Sequence, residues 1–384
     1  MLVTHLEIKN WRNFRDVKVK LGERAFLVGP NACGKSNLLD VFRFLRDIVT
    51  PGGGLQKAVA DRGGISKIRC LAARHDPAVY IGVCLAESVD ADPAWRYEIE
   101  IKQESRGKRR LKITKETVFK GQRKILDRPE SLDKADLERL TQTHLEQVNS
   151  NKEFRPISEF FQDVLYLHLV PQLVRNPEAF AGPGIPYGDP FGRNFIDRIV
   201  NTPKKTRDAR LRKIEKALQN AVPQLKGLTD ARDESGVPHL EVTYEHWRPH
   251  AGKQREDQFS DGTLRLVGLL WALLEGNNLL LMEEPELSLN TAIVKKLPGL
   301  MYHVRGRNKR QTILSTHSFD LLSDKGISPD EVFLLIPGKE GTEVRPASSD
   351  IEIMSLLAEK LSIADAIQPK IEPRQLDLFS IPNV

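Results

Sequence analysis

The stretch Gly29-Pro30-Asn31-Ala32-Cys33-Gly34-Lys35-Ser36-Asn37 follows the apolar run Ala25–Val28 and precedes Leu38, Leu39, Phe42 and Leu45 at helical spacing. Its first eight residues fit G-x-x-x-x-G-K-[ST] between a strand and a helix, the setting of a phosphate-binding loop. In such a loop the backbone N–H groups of Asn31, Ala32, Cys33 and Gly34 and the helix N-terminus behind them cradle the β- and γ-phosphates. Lys35 adds a point charge, and Ser36 offers its hydroxyl to Mg²⁺. Cys33 reads as a small residue filling space. The bare pattern turns up by chance in a chain this long about once in a hundred times at average composition. ATP with Mg²⁺ is the expected ligand.

Two further strand ends carry chemistry. Leu279-Leu280-Leu281-Met282-Glu283-Glu284-Pro285-Glu286 is an apolar run ending in acids, and a buried parallel strand delivering carboxylates at its C-terminal tip suits a nucleotide site. Glu283 is expected to hold Mg²⁺ through water, and Glu284 to orient or deprotonate the attacking water. In Leu314-Ser315-Thr316-His317-Ser318, a histidine at a strand end can hydrogen-bond the γ-phosphate and report its loss.

The order of these pieces resembles the ABC-type ATPases of the SMC, RecF and OLD-nuclease group. The resemblance rests on an N-F-plus opening within Asn10–Arg15, the loop Gly29–Asn37, and a signature at Phe259-Ser260-Asp261-Gly262-Thr263. It continues through Glu283–Glu286, the following Leu287–Asn290 and His317, covering roughly residues 1–50 and 255–340. LYLHLVPQLVR from Leu165 and EHWRP from Glu245 look like a compact bacterial, OLD-like branch. The resemblance implies a head-to-tail homodimer, or a larger assembly, in which Ser260, Asp261 and Gly262 of one copy cap ATP on the other. It also implies a glutamine touching Mg²⁺, with Gln172 the candidate and Gln162 the second choice, and an Arg12 that reaches the phosphates or base. The chain departs from the pattern twice, with Glu283 where many relatives have Asp and Asn290 where Asp or His is common. OLD nucleases continue into an acidic metal-binding domain. Only 67 residues follow His317, too few for that domain, so any nuclease is expected from a partner chain or is absent, and a partner effector or nuclease chain is expected.

The expected fold is α/β, a two-lobed ABC-type ATPase with a mostly parallel core sheet, an antiparallel β subdomain and a helical insertion. Residues 1–130 form the lobe with the phosphate loop, 131–254 the insertion, 255–346 the lobe with signature, acids and histidine, and 347–384 a helix and tail. Residues 2–9 alternate as an edge strand would. Three β-rich runs between Ala78 and Ile125 imply antiparallel pairing. Residues 131–163 read as helical, 177–192 as a loop, and Lys204–Ala221 as a basic helix. No heptad run supports a long coiled-coil arm.

Hydrophobic residues make up 40% and charged residues 29% of the 384, an ordinary globular balance. No apolar run approaches the ~20 residues that cross a bilayer, the N-terminus reads as a strand and not a signal peptide, and Cys33, Cys70 and Cys84 show no metal or disulfide spacing. No membrane partner and a cytoplasmic location are expected. Net charge is +6, yet Lys102–Arg128 holds eleven basic and three acidic residues, and Lys204–Lys216 and Arg305–Arg310 are also basic. Such stretches favour DNA. Gln375-Leu376-Asp377-Leu378-Phe379 resembles the pentapeptide with which bacterial polymerases and repair proteins dock on the sliding clamp. A DNA-associated ATPase in surveillance, repair or anti-phage defence is the leading expectation. A nucleotide-gated scaffold without turnover is the alternative. A transporter motor fits less well, because an L-S-G-G-Q signature is missing.

Overall fold

Alternation builds the first strand: in Leu2–Trp11, Leu6 and Ile8 are buried while His5 and Lys9 face outward, the period of two that pleating imposes. The computed structural model describes residues 1–73, 77–104, 109–177, 189, 191–245, 253–276, 278–305 and 310–372. They pack as two units, Met1–Val164 with Gln311–Val384, and Leu165–Arg310. Residues 131–164, read from the sequence as the start of the insertion, fall in the first.

In the first unit six antiparallel strands lie in the order Phe14–Lys20, Leu2–Trp11, Val79–Ala86, Trp95–Gln103, Leu111–Lys120 and Arg123–Arg128. Leu2–Trp11 is therefore an interior strand and not the expected edge. The strand Phe14–Lys20 folds back along it, with His5 opposite Lys20 and Glu7 opposite Lys18. Trp11, fully buried, packs on Phe44 with ring centroids 5.2 Å apart. Phe44 belongs to the helix Lys35–Val49, which buries Val41 and Phe44 in addition to the predicted face Leu38, Leu39, Phe42 and Leu45. A helix apolar on more than one face sits inside a core.

The same unit contains four strands in the order Gly341–Pro346, Val332–Gly338, Arg24–Val28 and Thr312–Ser315. The last three are parallel, and their runs FLV, FLL and TILS are buried without alternation, as in parallel strands covered on both faces.

The basic stretch Lys102–Arg128 meets counter-charges within its own strands and on neighbouring elements. Arg110 pairs with Glu138, Lys112 with Glu104, Lys115 with Glu98, and Lys124 with Asp127. Arg128 is wholly buried between Glu116 at 2.8 Å and Asp133 at 2.9 Å. Removing one partner from such a cluster costs about 3–5 kcal/mol, since it strands a buried charge.

The second unit has a three-stranded antiparallel sheet, Gln254–Arg255, Pro238–Tyr244 and Leu225–Arg232. The last of these went unread in the sequence. The unit also holds a parallel pair, Leu165–Leu167 and Leu280–Glu283. Its main helices are Lys204–Gln219 and Asp261–Leu274. The latter buries Leu264, Val267, Leu270 and Trp271 and so belongs to the core. Arg310, 2% exposed, donates to the carbonyls of Ala272, Glu275 and Asn278 around the end of this helix. That satisfies C-terminal acceptors which would otherwise be stranded, so one charge of the Arg305–Arg310 run is structural.

Candidate functional site

In the first unit the strand Arg24–Val28 delivers the phosphate loop, and the helix starts at Lys35. Gly34 takes φ 101° at the helix start, and a Cβ there would sit 2.2 Å from Asn13 Nδ2. Both the backbone and the close approach demand glycine. Asn13 Nδ2 donates to the Cys33 carbonyl and to Thr342 Oγ1, each at 2.7 Å, and Asn13 Oδ1 accepts from Asn37 Nδ2 at 2.8 Å. Trp11 Nε1 donates to the Asn37 carbonyl at 2.8 Å. The loop is thus held in shape by the turn between the first two strands.

Lys35 is 7% exposed, and its Nζ donates to the carbonyls of Gly29 at 2.9 Å and Pro30 at 3.1 Å. Phosphate oxygens are stronger acceptors for an ammonium than carbonyls are, so this charge is placed to be shared with a ligand. Burial pushes the Cys33 thiol up, which suits a space-filling residue and not a reactive thiolate.

Arg12, with φ 51°, forks onto Asp40 Oδ2 at 2.8 and 3.2 Å. Burial pushes the Asp40 carboxyl up, but the Arg62 and Arg12 guanidinium groups outweigh it and hold the carboxyl below its usual range. Arg12 thus ties the first strand to the helix behind the loop. His317 is exposed and lies two residues past Ser315, which is in register with Leu27; Gly29 lies two past Leu27. The strand pairing therefore brings the histidine and the phosphate loop to the same sheet end.

In the second unit the pairing of Leu280–Glu283 with Leu165–Leu167 sets Met282 beside Leu167. The next residues on each strand, Glu283 and His168, lie side by side, with His168 Nδ1 3.6 Å from Glu283 Oε2. Glu283 Oε1 and His168 Nδ1 are buried without a hydrogen-bond partner. An orphaned carboxylate oxygen at this point fits a divalent cation, and Glu283 is the residue that would hold it. Glu284 adopts φ 43°, a left-handed conformation that costs of order 1–3 kcal/mol and recurs at active sites. Arg265, pushed down by burial, is supported by the charges of Asp261 and Glu284.

Ser260 caps the helix Asp261–Leu274: its Oγ accepts from Thr263 N at 3.2 Å and lies 2.8 Å from Thr263 Oγ1. A Cβ on Gly262 would come within 2.7 Å of the Ser288 carbonyl, so the signature and the loop after the acids can meet only over a glycine. Arg175 braces the turn, donating to the Phe259 carbonyl and pairing with Asp261, both at 2.6 Å. Gln172, on the short helix Pro171–Arg175, reaches Asp261 Oδ2 at 3.4 Å. Gln162 ends the helix Arg155–Gln162 of the first unit. Asn290 caps the next helical turn by accepting from Ala292 N at 2.9 Å, a role that Asn fills as well as Asp.

Asn13, His168 and Arg175 were not singled out in the sequence, although each lies inside a quoted motif. The tail Gln375, Leu376, Asp377, Leu378 and Phe379 lies outside the described residues, as do 105–108 of the basic stretch, 306–309 and 246–249.

A strand, a Gly-Lys-Ser loop and a helix, with an acid-tipped strand and a capped signature helix elsewhere in the chain, define an ABC-type P-loop nucleotide-binding protein. The chain belongs to the family described as "AAA domain, putative AbiEii toxin, Type IV TA system", whose profile matches residues 24–324. Among solved structures it is similar to an Smc head bound to the C-winged helix domain of ScpA, with 14% identity and TM-score 0.55 over 90% of this chain and 98% of that one. It is also similar to an Smc head with an extended coiled coil, bound to the C-terminal domain of ScpA, from Pyrococcus furiosus. There the identity is 14% and the TM-score 0.50, over 94% of this chain and 99% of the other. At that identity the likeness is one of fold, that of SMC-head ATPases. No curated protein matches the chain in sequence. Among the described residues no helix is long and apolar enough to cross a membrane.

Proposed function

We propose that the protein is an Mg²⁺-dependent ATPase that works as a head-to-tail homodimer or larger assembly and uses ATP to control a partner effector in DNA surveillance, repair or anti-phage defence. The observation that carries the reading is the phosphate loop, preformed by Asn13 around Gly34 with Lys35 turned onto its carbonyls. ATP supplies the γ-phosphoryl group and the cation neutralises its charge. Asn31, Ala32, Cys33 and Gly34 bind through backbone N–H groups, Lys35 and Asn37 support the phosphates, and Ser36 and Glu283 hold the cation. Glu284 orients the attacking water and takes its proton, and His317 senses the γ-phosphate. Ser260, Asp261 and Gly262 of a second copy close over the nucleotide, and Gln172 touches the cation.

The family's toxin–antitoxin description supports a defence role. A DNA role has support from exposed cations stacked on aromatic rings, Lys120 over Trp95 at 5.4 Å and Arg96 over Phe119 at 5.7 Å. The clamp-like tail remains a separate proposal. Alanine at Leu378 and Phe379 removes clamp pull-down with ATPase activity intact if the motif docks there, and unchanged pull-down ends that idea.

Steady-state ATP hydrolysis with and without linear duplex DNA, together with sedimentation of the nucleotide-bound protein, tests the reading. Turnover that DNA alters and a dimer that forms only with ATP are expected. No hydrolysis under any condition, with ATP still bound, would turn the account to the nucleotide-gated scaffold.

A further inference from the structure

Parallel register places His168 next to Glu283, because Leu167 pairs with Met282 and each of the two residues follows its neighbour directly. The imidazole also makes an edge-to-face contact with Phe191, ring centroids 6.0 Å apart. Its Nδ1 faces Glu283 Oε2 at 3.6 Å, beyond hydrogen-bond range, and that nitrogen is buried with no partner. The carboxylate keeps a second buried oxygen, Oε1, in the same condition. Burying two such atoms without partners is costly. A structural His–Glu contact would be expected to close into a hydrogen bond and recover that energy.

Two ligands of one cation stand about 3–3.5 Å apart at metal–ligand distances near 2.1 Å. The observed 3.6 Å between nitrogen and oxygen is close to that spacing. Imidazole nitrogen is a poor ligand for Mg²⁺ and a good one for softer first-row cations. We propose that His168 joins Glu283 as a second protein ligand, through Nδ1, and that the pair selects a manganese-, iron- or cobalt-type divalent cation over Mg²⁺. This rests on the reading of Glu283 as the metal carboxylate and revises which metal serves it.

The test uses the full chain with Mn²⁺ and a non-hydrolysable ATP analogue, read by electron paramagnetic resonance. Wild type is expected to show the ¹⁴N modulation of a directly bound imidazole, replaced by a ¹⁵N pattern when histidine is ¹⁵N-labelled. His168→Phe keeps the ring against Phe191 and removes the nitrogen. It is expected to abolish the signal, weaken Mn²⁺ at least about tenfold, and flatten the preference for Mn²⁺ over Mg²⁺. Nucleotide-dependent Mn²⁺ binding without nitrogen coupling in wild type, or with coupling and affinity unchanged in His168→Phe, would overturn the assignment and leave the ATPase reading standing. No Mn²⁺ binding although the analogue binds would overturn the assignment alone, and failure of the analogue itself to bind would remove the ATPase reading as well. Should His168→Phe fail to fold by circular dichroism, His168→Gln takes its place, and loss of the nitrogen coupling in a folded His317→Phe that keeps His168 would likewise overturn the assignment.

Discussion

Around the phosphate loop, Asn13, Asn37, Trp11 and Lys35 all hydrogen-bond to neighbours, with distances of 2.7–3.1 Å. At the tip of Leu280–Glu283, Glu283 Oε1 and His168 Nδ1 are buried with no such bond. The loop is finished by its own fold, while the acid-tipped strand end holds polar atoms that the fold leaves without hydrogen bonds. Preorganisation lowers the cost of capturing phosphate. Unsatisfied groups store a cost that metal binding recovers, a usual stability–function compromise.

The largest effect expected on this contrast comes from Lys35→Met. Loss of the charge should weaken ATP about 100-fold or more, as read by calorimetric titration, with the fold unchanged.

Glu146 is the first unit's counterpart of Glu283, a buried carboxyl that does have donors: Leu55 N at 2.6 Å and Thr143 N at 2.9 Å. Burial still pushes it up to about 7, against those two hydrogen bonds. A folded value above the unfolded one means the folded state holds the extra proton. Its stabilising contribution is complete below about pH 4.5 and is lost as pH rises through about 7. Urea unfolding should show wild type losing about 2–3 kcal/mol more than Glu146→Gln between pH 5 and pH 8. Equal slopes would show that the donors, and not burial, set this carboxyl.

Asn13→Ala removes the bonds to the Cys33 carbonyl, Thr342 and Asn37. It should cost about 1–2 kcal/mol of stability and roughly tenfold in ATP affinity. The smallest effect runs the other way. Glu283→Met, by removing a carboxylate whose Oε1 is buried without a hydrogen-bond partner, should raise the unfolding free energy of the metal-free protein by about 1 kcal/mol, while abolishing metal binding. If it destabilises instead, the two regions are built alike and the contrast fails.

Local chemistry made much of this readable. The phosphate loop, its helix, the acid-tipped strand and the antiparallel runs rest on spacing within a few residues. What escaped depends on partners far away in the chain. Asn13 holds the loop by reaching Cys33 and Thr342. His168 meets Glu283 only because two strands more than a hundred residues apart choose one register. Leu2–Trp11 alternates like an edge strand, but alternation reports one wet face and is silent on neighbours within the sheet. The basic stretch overstated its charge because Glu98 and Asp133 arrive from outside it, on elements that a linear count does not connect to Lys115 and Arg128.

The central claim is that the loop binds and Glu284 cuts, so the two functions can be separated by one atom. Single-turnover hydrolysis by Glu284→Gln, measured beside its ATP affinity, tests this most directly. The account predicts affinity within about twofold of wild type and hydrolysis slowed about 10²–10⁴-fold, the usual contribution of a general base. Hydrolysis at the wild-type rate would contradict it.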